Sequence, residues 1–258
     1  MNPAIMMSSP VWTNPRVEIG DNALIGGFII TGTQNKKVIL RGLGPSVGLG
    51  NALSDPNLAL FDGGGNLLRA NDNWEAAPNA QEIIDSTIPP QSSFEAAILM
   101  SLPANGSNYT AVLRGFQNET GVGLVELYDL DQSVDSRLAN ISTRGFVQTG
   151  DDAMIAGFIV LNGNQRVILR GISPSLTLNG KLADPTLELR DSNGGLIRGN
   201  DNWHIGGQEA EIIATTIPPT DDAEAAIVEV LSPGAYTAIL RGVNNTTGIA
   251  VLEVYALD

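Results

Sequence analysis

The chain contains no cysteine. Disulfides and thiolate metal sites are therefore excluded as sources of stability or chemistry. Histidine occurs once, as His204. A triad built on it would need a Ser or Cys nucleophile and an orienting acid, and no motif marks either. Positive charge is scarce: 14 Lys and Arg stand against 28 Asp and Glu, a formal net charge of −14. A phosphate-binding face needs clustered cations, so no nucleic-acid partner is expected. No apolar run approaches the ~20 residues of a membrane span. The first residues, MNPAIMMSSPVW, lack a basic stretch and a small-residue cleavage site, so they do not read as a signal peptide. Little is left on which an enzyme could be built, and none is expected.

What the chain does have is an internal repeat. Ala23–Phe28 returns as Ala153–Phe158, 130 residues later. Val38-Ile-Leu-Arg-Gly42 returns as Val167–Gly171, Asn71-Asp-Asn-Trp74 as Asn200–Trp203, and Thr87-Ile-Pro-Pro90 as Thr216–Pro219. Tyr109–Gly115 returns as Tyr236–Gly242, 127 residues later. The small slips fall in Gly/Asn-rich stretches, where surface loops tolerate deletions. A repeat of this length and collinearity means two copies of one domain. The organisation is an N-terminal arm, 1–14, a first repeat, 15–131, a linker, 132–143, and a second repeat, 144–258. Each repeat is large enough to hold a core without staples.

Within each repeat, short runs of β-branched and aliphatic residues alternate with Gly, Asn, Asp and Pro turns. Leu58 to Phe61 and Asn66 to Ala70 flank Asp62-Gly-Gly-Gly65, a hairpin signal. Asn79–Asp85 and Gln208–Ala214 are the only helix-like pieces, the first closed by Pro89-Pro90. The expected fold is all-β: two tandem antiparallel β-sandwich domains of jelly-roll type, with one short helix each.

The segments FDGGGNLLRANDNW and LRDSNGGLIRGNDNW, followed by LSPGAYTAILRGVNNTTGIAVLEVY, carry a resemblance. They are similar to the bacterial pre-peptidase C-terminal type of β-sandwich repeat. The run SRLANISTRGFVQTGDDAMIAGFIV resembles a junction between consecutive repeats. The resemblance covers nearly the whole chain from Arg16 onward. It implies a secreted or cell-surface bacterial protein and a non-catalytic role.

Several residues are candidates for chemistry or binding. Asp72 and Asp201, in the two Asn-Asp-Asn-Trp motifs near Asp62 and Asp191, could ligate Ca²⁺. The same motif also reads as an Asx-turn with a tryptophan capping the core, and no other cofactor is indicated. Gly42–Gly50 resembles a phosphate cradle but lacks the following Lys-Ser/Thr, and the second copy loses most of its glycines. Arg41, Arg114, Arg170 and Arg241 each end a strand. With Glu95, Glu126, Glu224 and Glu253 they could form Arg–carboxylate forks. Sequons at Asn118, Asn140, Asn244 and Asn245 are glycosylation candidates on expected loops. Trp74, Trp203, Tyr109 and Tyr236 could form a glycan-stacking face.

The arm and the linker remain. Ser136–Arg144 has the alternation of an extended segment and precedes the second repeat. Nothing equivalent follows the second repeat. The arm has the right length to fill that place, and Ile5, Met7, Val11 and Trp12 would fill pockets. The expectation is a structural subunit of an extracellular fibre or surface assembly. Each arm docks head-to-tail on a neighbour's C-terminal domain, so the partner is a second copy of the chain. The alternative is a secreted carbohydrate-binding or adhesion module, whose partner is a glycan.

Overall fold

A computed structural model describes residues 5–6, 16–150 and 153–257. The protein is predominantly β, with antiparallel strand pairs and two short α-helices. In chain order, the strands before the first helix are β1 (Ile5–Met6), β2 (Arg16–Val17), β3 (Leu24–Gly32), β4 (Lys36–Leu43), β5 (Pro56–Phe61) and β6 (Leu67–Asn71). Helix α1 (Ala80–Asp85) follows, then β7 (Ala96–Leu102), β8 (Asn108–Gly115), β9 (Gly121–Val122) and β10 (Leu124–Asp129). Strand β11 (Ser136–Val147) leads to β12 (Met154–Val160), β13 (Gln165–Ile172), β14 (Pro185–Asp191) and β15 (Leu196–Asn200). Helix α2 (Glu209–Ala214), β16 (Ala225–Leu231), β17 (Gly234–Gly242) and β18 (Gly248–Leu257) complete the chain.

Two compact units divide the chain between Ala139 and Asn140. The boundary falls inside the expected linker, and most of that linker is strand. β11 is one twelve-residue strand that crosses the division.

In the first unit, one sheet has the order β3-β8-β5-β6 and a second the order β10-β4-β7. The hairpin β5–β6 pairs Leu58 with Asn71 and Leu60 with Arg69, around the Asp62–Gly65 turn. β5 alternates buried and half-buried positions along PNLALF, the period of a strand with one face in the core. Within β4 the run Val38-Ile-Leu40 is apolar throughout and buried on both faces. Val38 and Leu40 join one cluster with Phe28, Leu58, Ile98, Leu113 and Leu127, drawn from both sheets. Ile39 points the other way, into a second cluster with Trp74, Ile83, Ala97, Leu99 and Tyr128. A short helix under a tryptophan therefore seals the outer face of β4 and β7. Fully burying an aliphatic side chain such as Ile83 contributes about 1.5–3 kcal/mol. α1 ends where Ser86 N–H donates to Glu82 O and Thr87 N–H to Ile84 O. Thr87 adopts a left-handed φ of 66°, as does Thr216, at 64°, after α2.

The second unit repeats the plan. Its sheets have the orders β12-β17-β14-β15 and β11-β18-β13-β16. Ile168, Trp203, Ile212, Ala226 and Val228 form the counterpart of the outer cluster. Among the described residues, no helix is long and apolar enough to cross a membrane.

Candidate functional site

The region that distinguishes the two units is the outer edge of β3 in one and of β12 in the other. In the first unit, β11 borders β3. Its entry is clamped there: Thr33 N–H donates to Asp135 O at 2.8 Å, Thr33 Oγ1–H to Asp135 Oδ2 at 2.8 Å, and Asp135 N–H to Gln34 Oε1 at 2.7 Å. Gly32, at φ +122°, lies so close that a Cβ there would stand 2.3 Å from Asp135 O. Only glycine permits that approach. The second half of β11, Asn140–Val147, pairs with β18 from Tyr255 to Gly248. One strand thus completes a sheet in each unit.

The strand that borders β12 is β1, Ile5–Met6, from the opposite end of the chain. The arm's continuation also copies the joint. Arg16 pairs with Val122 and Val17 with Gly121, just as Phe146 pairs with Ile249 and Val147 with Gly248. β12 presents a sheet edge backed by buried Met154, Ala156, Phe158 and Val160. Of the expected assembly residues, Ile5 lies in β1, while Met7, Val11 and Trp12 lie outside the described residues.

No family model and no curated protein matches the chain. Among solved structures, PNGF-II is similar at a TM-score of 0.24 and 9% identity, over 99% of this chain. A DUF4785 family protein from Legionella pneumophila is similar at a TM-score of 0.27 and 10% identity, over 100% of this chain. The chain spans 65% and 64% of the length of those two structures. At such scores neither likeness carries fold or function across.

The other candidates resolve into structural roles. Asn71 Oδ1 accepts the Ala97 N–H at 2.8 Å and its Nδ2 donates to Asn73 O at 3.0 Å. Trp74 Nε1–H donates to Ser92 O. Asn200, Asn202, Trp203, Ala226 and Asp221 repeat this arrangement. The motif ties a strand edge to the loop that carries the tryptophan. Asp72 faces Asp55, whose carboxyl is raised by burial and then by the Asp72 and Glu119 charges. Asp201 acts likewise on Asp184. Among the described residues, no group of three or more acidic or histidine side chains is placed to hold a metal ion.

The cradle-like loop is already filled. Glu95 is fully buried, and its Oε1 accepts from Gly44 N–H, Ser46 N–H and Ser46 Oγ–H at 3.0, 2.9 and 2.5 Å. Its Oε2 accepts from Ser92 N–H at 3.2 Å. Glu224 holds Ser173, Ser175, Thr220 and Asp221 in the same way. An internal carboxylate thus occupies the place an external anion would take. Glu95 and Glu224 were expected in Arg forks, and that expectation is corrected here. The forks that do form are Arg41–Glu126 and Arg170–Glu253, each guanidinium also lying over a tyrosine, Tyr128 or Tyr255. Burial, first, and the adjacent glutamate push the Tyr128 hydroxyl up to about 12. Arg241 approaches Glu188 at 3.4 Å, and Arg114 is exposed.

His204 lies against Trp203 with the rings tilted by 33° and bridges two acids, Glu209 at 2.7 Å and Asp222 at 3.1 Å. It is a surface bracket at the start of α2. Asn118, Asn244 and Asn245 sit on exposed left-handed turns, at φ 64°, 55° and 58°. Asn140 is a correction: it is 4% exposed within β11, and its Nδ2 donates to Val254 O at 3.4 Å. A glycan cannot be attached there in the folded chain. Trp74, Trp203 and Tyr109 are buried, Tyr109 stacked on Phe28, so they form no sugar-stacking face.

Proposed function

We propose that the chain is a structural subunit of an extracellular bacterial fibre or surface assembly. In this reading its repeats are jelly-roll sandwiches akin to pre-peptidase C-terminal domains. Subunits polymerise head-to-tail, the N-terminal arm of one docking on the C-terminal repeat of the next. The observation that carries the proposal is the edge of β12. Where the first repeat has the joint strand beside β3, the second has a strand from the N-terminus beside β12. A chain whose N-terminal strand complements its second repeat supplies both halves of a heterologous contact, and such contacts give open filaments when the rotation does not close. Main-chain pairing to a sheet edge supplies affinity, as in strand-addition complexes generally. A net charge of −14 keeps subunits apart except where a specific contact joins them. Electron microscopy of the purified chain beside a chain beginning at Arg16 tests the reading. Filaments from the first and single particles from the second are expected. Single particles from both would end it.

A further inference from the structure

In the single chain the edge of β12 already has an occupant, β1. The two equivalent edges are closed differently. At β3 the occupant is a twelve-residue strand held at its entry by Thr33, Gln34 and the backbone of Asp135. At β12 the described occupant is Ile5–Met6. The turn that follows β12 reads Leu161-Asn-Gly-Asn164, without the threonine–glutamine pair that grips the joint in the first repeat. The backbone groups along β12 must be satisfied by some partner or by water.

We infer that the single subunit is self-capped: β1 occupies in cis the β12 edge that the N-terminal strand of a second copy occupies in trans. Assembly is then a strand exchange, in which an identical element is traded between chains at low net cost because the same pairs form before and after. The cap restrains premature polymerisation, since an open sheet edge is an aggregation template. The inference rests on the head-to-tail reading and adds its control.

The test uses the full chain at a dilution where sedimentation shows monomers. The probe is a fluorescent peptide of residues 1–14, read by anisotropy. The comparison is wild type against full-length Ile5→Pro/Met6→Pro. Proline has no N–H to donate to a ladder, so the variant cannot hold its own cap. The expected result is peptide binding to the variant at least ten-fold tighter than to the wild-type monomer. Equal affinities for the two chains would overturn self-capping, and filaments from wild type at higher concentration would show that the head-to-tail reading survives it. No binding to either chain removes β12 as a strand acceptor, and both readings fall together. The variant positions precede β2, and a circular dichroism spectrum matching wild type verifies the fold. If the variant unfolds, the chain beginning at Arg16 takes its place in the same comparison.

Discussion

Lys36 and Asp129 lie side by side in the first unit, both side chains 1% exposed, with Nζ 2.9 Å from Oδ2. Nζ also donates to Asp131 O at 2.7 Å. The second repeat solves the same position without charge. Lys36 pairs with Leu102 as Gln165 pairs with Leu231, and Asp129 pairs with Val38 as Ala256 pairs with Val167. Gln165 Nε2–H donates to Leu257 O at 2.6 Å, much as the lysine reaches the Asp131 carbonyl. The natural perturbation is therefore Asp129→Ala. It strands a buried ammonium, which costs about 3–5 kcal/mol. For a unit of this size that corresponds to a fall in Tm of roughly 10–20 °C. The pair is withdrawn from solvent, so added salt should change the loss little. Lys36→Gln with Asp129→Ala copies the second repeat and leaves no stranded charge. It should return to within about 1 kcal/mol of wild type, because neutral replacement of a buried pair is often neutral or stabilising. Urea unfolding gives the free energies, and hydrogen exchange assigns the loss to residues 16–139. The reasoning is refuted if the double variant is as unstable as Asp129→Ala, or if Asp129→Ala costs less than about 1 kcal/mol.

Other outcomes follow from single sites. Glu95→Gln keeps an acceptor for the Gly44 and Ser46 N–H groups but sets its amide N–H against that of Ser92, and should cost about 1–3 kcal/mol by urea unfolding; Glu224→Gln does the same against Thr220 and Asp221 in the second unit. His204 is raised above its ordinary 6.5, first by the hydrogen bond it donates to Glu209, then by the charges of Glu209 and Asp222. A raised histidine adds stability that is complete below 6.5 and lost as pH rises through the folded value. The urea midpoint of the second unit should therefore fall as pH rises above 6.5, and His204→Gln should remove that slope. In a host that glycosylates sequons, mass spectrometry should find glycans at Asn118 and at Asn244 or Asn245 but none at Asn140, since only Asn140 lies buried in a strand.

Much of the local structure could be read from composition and spacing. The helix expected at Asn79–Asp85 is α1, Ala80–Asp85, and that expected at Gln208–Ala214 is α2, Glu209–Ala214. The hairpin around Asp62–Gly65 and the forks of Arg41 and Arg170 also stand where the residues pointed. These features depend on neighbours a few residues apart, or on a repeated residue whose partner repeats with it. The destinations of Glu95, Lys36 and Asn140 were not legible. Each is decided by which strand lies alongside across tens of residues, and nothing local to a glutamate says that it will meet a loop fifty residues away rather than an arginine. The linker was read correctly as extended. That one continuous strand would complete a sheet in each unit depends on pairings with β3 and β18, and neither partner is adjacent in sequence.

The continuity of β11 has a mechanical consequence. Any pull passed along the backbone from residues 16–139 enters the second unit at Asn140, at one end of a segment lying antiparallel to β18 over eight residue pairs. Held against a point beyond Gly248, at the far end of the ladder, such a force strains these pairs together, in shear; held against the chain beyond Tyr255, beside Asn140, it peels them one after another. In the first geometry many hydrogen bonds must fail at once and the strand yields late; in the second the same bonds fail in turn and it yields early.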